Sequence, residues 1–389
     1  GITSEDGQQY DAQIQSPLNM GGFGLTSADS TAAPAYIAGA ENTLRHSPAF
    51  ASVWTGEIPL HPDSPMSQAI DDSIARFKAT TSILEKDCTT EHLTCLSPHT
   101  SALLPSSAAN FVEFYKAKPS SVIQAALTHR ISTLSFIARV SAAGKQGKAG
   151  HCTIARLQSL RETGSAVWLQ TLPTEPALAL TDEKWRWAAW LRLGVPVPVT
   201  ESCCSKCKQA DAYGKDSWHA LSCTPASGRG MTGRHNAVLA HLADFATLAP
   251  RSNRTEPATL DPDSQKRPDI EVALPDRTIL GDVTITHPTS RSWIKKACKQ
   301  GVEAVGDKRE GCKNSLYKKM AKANDMEFMA IVLYTYGGLH RSAIRFLQRL
   351  KNAVDPATCL LSRSGFQIAL RQHVAIAVQR GNADIMIRD

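Results

Sequence analysis

The sequence predicts an α/β domain in its C-terminal half, preceded by a short metal-stapled unit and a mostly α-helical N-terminal region. Two apolar runs of period two, residues 267–274 and 278–285, flank a Pro275-Asp276 turn and read as a β-hairpin. Residues 328–334 form another apolar run closed by Tyr336-Gly337-Gly338, a further core strand that completes a sheet with flanking helices. Between residues 204 and 223, cysteine and histidine recur at close spacing in a segment poor in large apolar side chains.

With 389 residues, 42% of them hydrophobic and 20% charged, the chain has the composition of a globular protein of two or three domains. No apolar run reaches the roughly 18 residues of a membrane-span candidate, and the best stretch, 121–142, is interrupted by His129, Arg130 and Arg139. The N-terminus lacks a basic start followed by an apolar core, so an intracellular, non-secreted protein is expected, its ten cysteines mostly reduced or bound to metal. The net charge of +7 is concentrated: Lys and Arg exceed Asp and Glu by eight over residues 226–351. Between Arg291 and Lys322, ten basic residues stand against three acidic ones, which predicts a phosphate-binding surface that includes Lys295, Lys296, Lys299 and Lys308.

In chain order, residues 1–66 are rich in Gly, Ser, Ala, Thr and Pro and read as irregular, apart from the segment Gly21-Gly22-Phe23-Gly24-Leu25. Residues 67–195 repeat at three- and four-residue spacing, at Ile70, Ile74 and Phe77 and then over 122–140 and 154–169, and read as a helical linker domain. Trp185, Trp187 and Trp190 beside Leu191 and Leu193 suggest core packing rather than a base-stacking stripe. Cys88, His92, Cys95 and His99 match no familiar ligand frame. Gly194, Pro196 and Pro198 end the helix, so that residues 196–225 hold the metal unit, 226–352 the α/β domain and 353–389 a helical tail.

Cys204 and Cys207 are followed after eleven residues by His219 and after three more by Cys223, a spacing that suits one tetrahedral zinc ion and would order a loop-rich unit. Cys203 fits the first position as well as Cys204 does. In the hairpin, pairing about the turn sets Asp269 opposite Asp282, with Ile270, Val272, Ile279, Val283 and Ile285 on the other face. Opposed Cβ atoms stand about 4.5–5.5 Å apart, so the two carboxylates repel unless a cation lies between them. Mg²⁺ or Mn²⁺ there would polarise a phosphodiester and lower the pKa of an attacking water. Arg234-His235-Asn236 opens a helical stretch that falls near the same site.

Arg267-Pro268-Asp269, eleven residues and Gly281-Asp282-Val283 resemble the PD-(D/E)xK core of α/β restriction-endonuclease-like domains, with Thr284 where that core has its lysine. The ordered series GGFGL, Arg192-Leu193-Gly194, a CCHC zinc knuckle ending in His219-Ala220-Leu221-Ser222-Cys223, Arg234-His235-Asn236, RPD and GDVT resembles the C-terminal part of non-LTR retrotransposon proteins carrying a restriction-like endonuclease. The resemblance covers less than half of the chain, chiefly residues 190–350. It implies that the displaced lysine lies on the helix after the second acidic strand, four residues before a tyrosine, which matches Lys313 and Tyr317, with Lys299 and Lys308 as rivals. It also points to Glu256 as a further acidic ligand.

The resemblance implies a Mg²⁺-dependent endonuclease nicking target DNA, with Arg234, His235, Asn236, Arg267 and the basic helix on nucleic acid, element RNA as a second partner, and a nuclear location. Residues 1–66 would then be a remnant of a post-polymerase, thumb-like segment of a truncated or separately expressed copy. The aspartate pair of a reverse transcriptase is missing, since Asp71-Asp72 sits in a helical pattern, so no polymerase activity is expected. Two other readings remain: a catalytically silent zinc-containing DNA- or RNA-binding remnant, and a structural zinc protein without a nucleic-acid role.

Overall fold

A computed structural model describes residues 10–25, 27–88, 103–116, 120–197, 203–204, 206–209, 217–248, 253–257, 267–355 and 359–388. It divides into two compact units, Gly1–Gln146 and Gly147–Asp389. His92, Cys95 and His99 lie outside the described residues.

The first unit is built on three long helices, α1 (Ala28–His46), α2 (Pro65–Lys86) and α3 (Ser120–Lys145). Ser64 starts α2, its hydroxyl accepting the Ser67 N–H at 3.1 Å with Pro65 in the first turn, where a missing donor costs nothing. Ile37 and Leu44 of α1 interlock with Ile70, Ile74 and Phe77 of α2 and Leu127 of α3. Helix α1 corrects the irregular reading of residues 1–66: its alanines are strong helix formers, and the buried stripe of Ile37 and Leu44 outweighs the internal Pro34. Gly22 makes a tight turn in GGFGL, since a Cβ there would fall onto the Ser16 carbonyl.

The second unit begins with α4 (His151–Ser159) and α5 (Asp182–Leu193), so the boundary falls inside the 67–195 stretch expected as one domain. The reason is burial: Leu160 and Leu191 pack with Trp218, Tyr336 and Ile385 of the second unit. Trp187 and Trp190 are partly buried against that cluster, whereas Trp185 is 45% exposed and meets Trp168 edge-on.

The sheet follows helix α6 (Thr224–Ala246) and runs in the order β1 (Asn253–Thr255), β2 (Ile270–Ala273), β3 (Thr278–Thr286), β4 (Glu327–Tyr334). β1, β2 and β3 are antiparallel, and β4 is parallel to β3. The parallel pair needs a crossover, supplied by α7 (Ile294–Gln300) and α8 (Val302–Ala323). Helices α9 (Arg341–Ala353) and α10 (Arg363–Arg388) complete the unit.

On one face, Ile270, Val272, Ile279 and Val283 pack with Val238 and Leu242 of α6, Phe346 of α9 and Phe366 of α10. On the other, Leu280, Ala330 and Val332 are covered by Tyr317 and Ala321 of α8. β3 and β4 are therefore buried on both sides, as strands of a helix-covered sheet are, and the period-two reading of β3 described only one of its two packed faces. The expected tail is instead a central helix: Phe366, Leu370, Val374 and Val378 belong to the main core. No described helix is long and apolar enough to cross a membrane.

Candidate functional site

The hairpin turn closes with Leu274 N–H donating to Arg277 O at 3.1 Å, and the ladder pairs Ile270 with Gly281 and Val272 with Ile279. That register sets Asp269 one step past the last pair, opposite Asp282. Asp269 does not simply face Asp282, however. Its N–H donates to Gly281 O at 2.9 Å, and its Oδ2 accepts the Val283 N–H at 2.6 Å. His235 of α6 brings Nε2 to 3.0 Å from the same oxygen. The expected bare pair of opposed anions is thus modified, because one carboxylate is folded onto the backbone of β3 and held there by an imidazole.

Asp282 is 3% exposed and shares its face with Leu280 and Thr284 beneath α8. Lys313 of α8 reaches it, Nζ to Oδ2 at 2.5 Å. That oxygen is buried, and its close partner is the Lys313 ammonium, with the Tyr317 hydroxyl beside the same carboxylate. Burial pushes the Asp282 carboxyl above its ordinary range, the charge of Asp269 adds to the effect, and Lys313 opposes both. The hydrogen bond to Asp269 raises His235, against the opposing effect of burial. Tyr317, one turn beyond Lys313, donates to Arg267 O at 3.0 Å, tying α8 to the chain entering Asp269. Burial and then Asp282 hold its hydroxyl above the usual phenol range.

Thr284 occupies the position where a lysine would complete the motif, and its Oγ1 accepts from Arg309 at 2.7 Å. Arg309 and Lys313 are a turn apart on α8, so the helix projects both cations toward one side of β3. Lys299 and Lys308 are exposed and form no ion pair with a described carboxylate. Glu256 follows β1 and is held near Asp269 only through its backbone N–H, which donates to Asp269 O at 2.8 Å. Its side chain is exposed, and among the described residues it joins no three-ligand group with Asp269 and Asp282.

Asn236, Arg267, Lys295, Lys299 and Lys308 are exposed, and Lys296 is half-buried and bonded to Gln300 Oε1 at 2.8 Å. Arg234 is a correction. It is 3% exposed, donates to Asn382 Oδ1 at 2.6 Å and lies against Gly381, where a Cβ would stand 2.5 Å from its Cβ. One step of a helix turns about 100°, so His235 faces the carboxylates while Arg234 points into α10 and cannot touch nucleic acid.

Ahead of α6, Cys204, Cys207, His219 and Cys223 bring their ligand atoms within 4.8 Å of one another, a group able to hold a metal ion. Cys204 and Cys223 Sγ are 4.0 Å apart, and Cys207 Sγ is 3.4 Å from His219 Nε2. The Cys207 N–H points at Cys204 Sγ, at 3.5 Å. Burial raises the Cys204 thiol, but the Cys207 and Lys206 N–H groups together with the Cys207 and Cys223 thiols bring it below its ordinary value. Cys203 is not in the group; its sulfur is directed to the Cys204 carbonyl, at 3.8 Å.

No family model and no curated protein matches this chain. The site therefore stands on its own geometry.

A second cluster with metal-ligand chemistry, Glu303, Asp307 and His340, was not anticipated. Its counter-charges are already present, because Arg341 reaches Asp307 at 2.5 Å and Glu303 at 3.8 Å, and His340 caps α9 through Ser342 N at 3.3 Å. It reads as an ion network joining α8 to α9. Glu303 and Asp307 are one helical turn apart, but nothing in the sequence links them to His340.

Proposed function

We propose that the chain is a divalent-metal-dependent DNA endonuclease of the restriction-like kind, with a structural zinc knuckle ahead of the nuclease sheet. The observation that carries the reading is the convergence of Asp269, just ahead of β2, with Asp282 of β3 and Lys313 of α8, the first and last half-buried and Asp282 buried. A cation suits that point: Asp282 is a buried carboxylate, and a second carboxylate, Asp269, is near enough to raise its proton affinity, so positive charge there is favourable. Asp282, with the Asp269 oxygen that His235 and Val283 leave free, would hold Mg²⁺ or Mn²⁺. Such an ion supplies Lewis-acid polarisation of a phosphodiester and a more acidic water.

The chain's own groups have separable parts in this scheme. Val283 N–H and His235 fix the orientation of Asp269. Lys313 balances the buried Asp282, and its ammonium would stabilise charge developing on a phosphate held at this point. Tyr317 holds the Arg267 carbonyl and with it the path of the chain into Asp269.

Zinc is the metal that fits the Cys/His group best. Tetrahedral geometry with Zn–S near 2.3 Å and Zn–N near 2.05 Å gives S···S edges of about 3.8 Å and S···N edges of about 3.5 Å; the protein has 4.0 and 3.4 Å. A catalytically silent DNA- or RNA-binding relic is the second reading. It is favoured by the Lys313 ion pair, which already neutralises Asp282, and by the exposure of Glu256, which leaves only two carboxylates. A retrotransposon origin and a nuclear location rest on the motif resemblance alone.

The test is nicking of supercoiled plasmid in Mg²⁺ or Mn²⁺ by the wild type and by Asp269→Ala and Asp282→Ala with matched folding. Nicking by the wild type alone is expected. Inactivity of all three, with DNA still retarded on a gel, would replace the nuclease with the relic.

A further inference from the structure

A cleft of about 1010 Å³ lies in the second unit between the Cys/His group, the start of α4 and the segment joining β3 to α7. Its size is at the upper end for a small-molecule pocket, and its charge is one-sided. Lys148, Arg291, Lys295 and Arg309 line it, and none of its described lining residues is acidic. Lys148, Arg291 and Lys295 are exposed and pair with no carboxylate among the described residues.

Arg309 lines the cleft and bonds Thr284, two residues from Asp282 on β3. One guanidinium nitrogen is spent on Thr284 Oγ1, while its Nε is buried with no hydrogen-bond partner among the described residues. Arg309 is a half-buried cation that forms no ion pair with a described carboxylate, so it adds to the positive charge of the cleft. Trp293 lines the same cleft, its ring 6.0 Å from the Arg309 guanidinium carbon and partly uncovered. Thr284 is two residues from Asp282, about 7 Å along β3, and Arg309 is one helical turn from Lys313, about 6 Å along α8. The Arg309 side of the cleft is thus connected through Thr284 and α8 to the elements that carry Asp282 and Lys313.

We propose that this cleft is a track for single-stranded nucleic acid, in which Trp293 stacks a base and Arg309, Arg291 and Lys295 take successive phosphates on the way to Asp282. It rests on the nuclease reading for its direction but not for its chemistry. Phosphates match a cationic wall without carboxylates, and an indole platform is open only to a base released from a duplex. The cleft also gives the Cys/His group a purpose, since Cys207, His219 and Cys223 form part of one wall.

The test is fluorescence anisotropy with a short labelled oligodeoxythymidylate, the matching oligouridylate and a duplex of equal length, on the metal-loaded full chain without added Mg²⁺ or Mn²⁺. Trp293→Ala should weaken single-strand binding by about 5- to 150-fold, the equivalent of one base stack, and leave the duplex unchanged. Trp293→Phe should restore most of it. The pair Arg291→Glu and Lys295→Glu, on exposed side chains that the fold does not need, should flatten the slope of log affinity against log salt by about 0.7 for each phosphate no longer held. Single-strand affinity within twofold of the wild type in both variants, or an equal fall for the duplex, would overturn the proposal. A chain that binds the single strand through Trp293 yet never nicks would keep the track and remove the nuclease. One that nicks while both variants bind as the wild type does would do the reverse.

Discussion

Replacing Gly281 by alanine asks why a glycine stands before Asp282. A Cβ at that position would lie 2.7 Å from Ile270 Cγ2, 2.9 Å from Ile331 Cδ1 and 3.6 Å from Phe346 Cε2. None of these side chains has room to withdraw, because Ile270 and Phe346 are fully buried and Ile331 is 1% exposed, all in the main core. Forcing one methyl into such packing costs about 1–3 kcal/mol. For a unit of this size each kcal/mol moves the melting temperature by about 2–4 °C, so Gly281→Ala should melt roughly 2–12 °C lower. Urea unfolding by circular dichroism should show a lower midpoint at unchanged slope, which separates a loss of stability from a change in the unfolded state. The site should suffer as well, because Asp269 N–H bonds the carbonyl of Gly281 and β2 cannot move without it. An unchanged or higher midpoint would refute the packing argument and leave the glycine without an explanation.

Two further outcomes are expected. Stripping the metal from the Cys/His group, or Cys207→Ser, should release Trp218 and Leu221 from Leu160, Leu191 and Ile385; a red shift in tryptophan emission and a loss of about 2 kcal/mol or more are expected, given that structural zinc contributes on the order of 10 kcal/mol in isolated units, and indifference to chelation would count against a structural metal. Glu162 is pushed up from 4.5 to about 7 by burial first and Glu303 second, so the folded state binds its proton more tightly than the unfolded state; its contribution is complete below about 4.5 and lost as pH rises through about 7. Glu162→Gln should therefore stabilise the chain at pH 8 by on the order of 1 kcal/mol, after allowance for partial solvent screening, and leave it unchanged at pH 4, which urea midpoints at the two pH values will check.

The hairpin was legible because its signal is local: a Pro-Asp turn fixes the register, and period two separates Asp282 from Ile279 and Val283. The Cys/His group was legible because ligand spacing along the chain limits how four donors can converge, although only the fold turns Cys203 away. Lys313 came from resemblance rather than from spacing, since nothing in the local sequence says which basic residue of α8 reaches across to β3. Arg234 looked like a phosphate contact because it stands beside His235, but its helical phase points it at Gly381 of α10, a helix far away in sequence. The same distance hid the role of α10: its apolar stripe, Phe366, Leu370 and Val374, is plain, but that it fills the core beneath the sheet is a tertiary fact. Helix α1 was obscured by its small residues, and β1 by being three residues long. The basic run holding Arg291, Lys295 and Arg309 was legible, but the cleft it lines was not, because these residues meet Lys148 and the Cys/His group only after folding.

Mn²⁺ binding followed by electron paramagnetic resonance on the metal-loaded protein tests most directly whether Asp269 and Asp282 together hold the ion on which the proposed nuclease depends. The wild type should bind one Mn²⁺ that Asp269→Ala and Asp282→Ala both lose, with plasmid nicking rising over the same Mn²⁺ range. Equal Mn²⁺ binding by all three, or nicking that persists in either variant, would contradict the proposal.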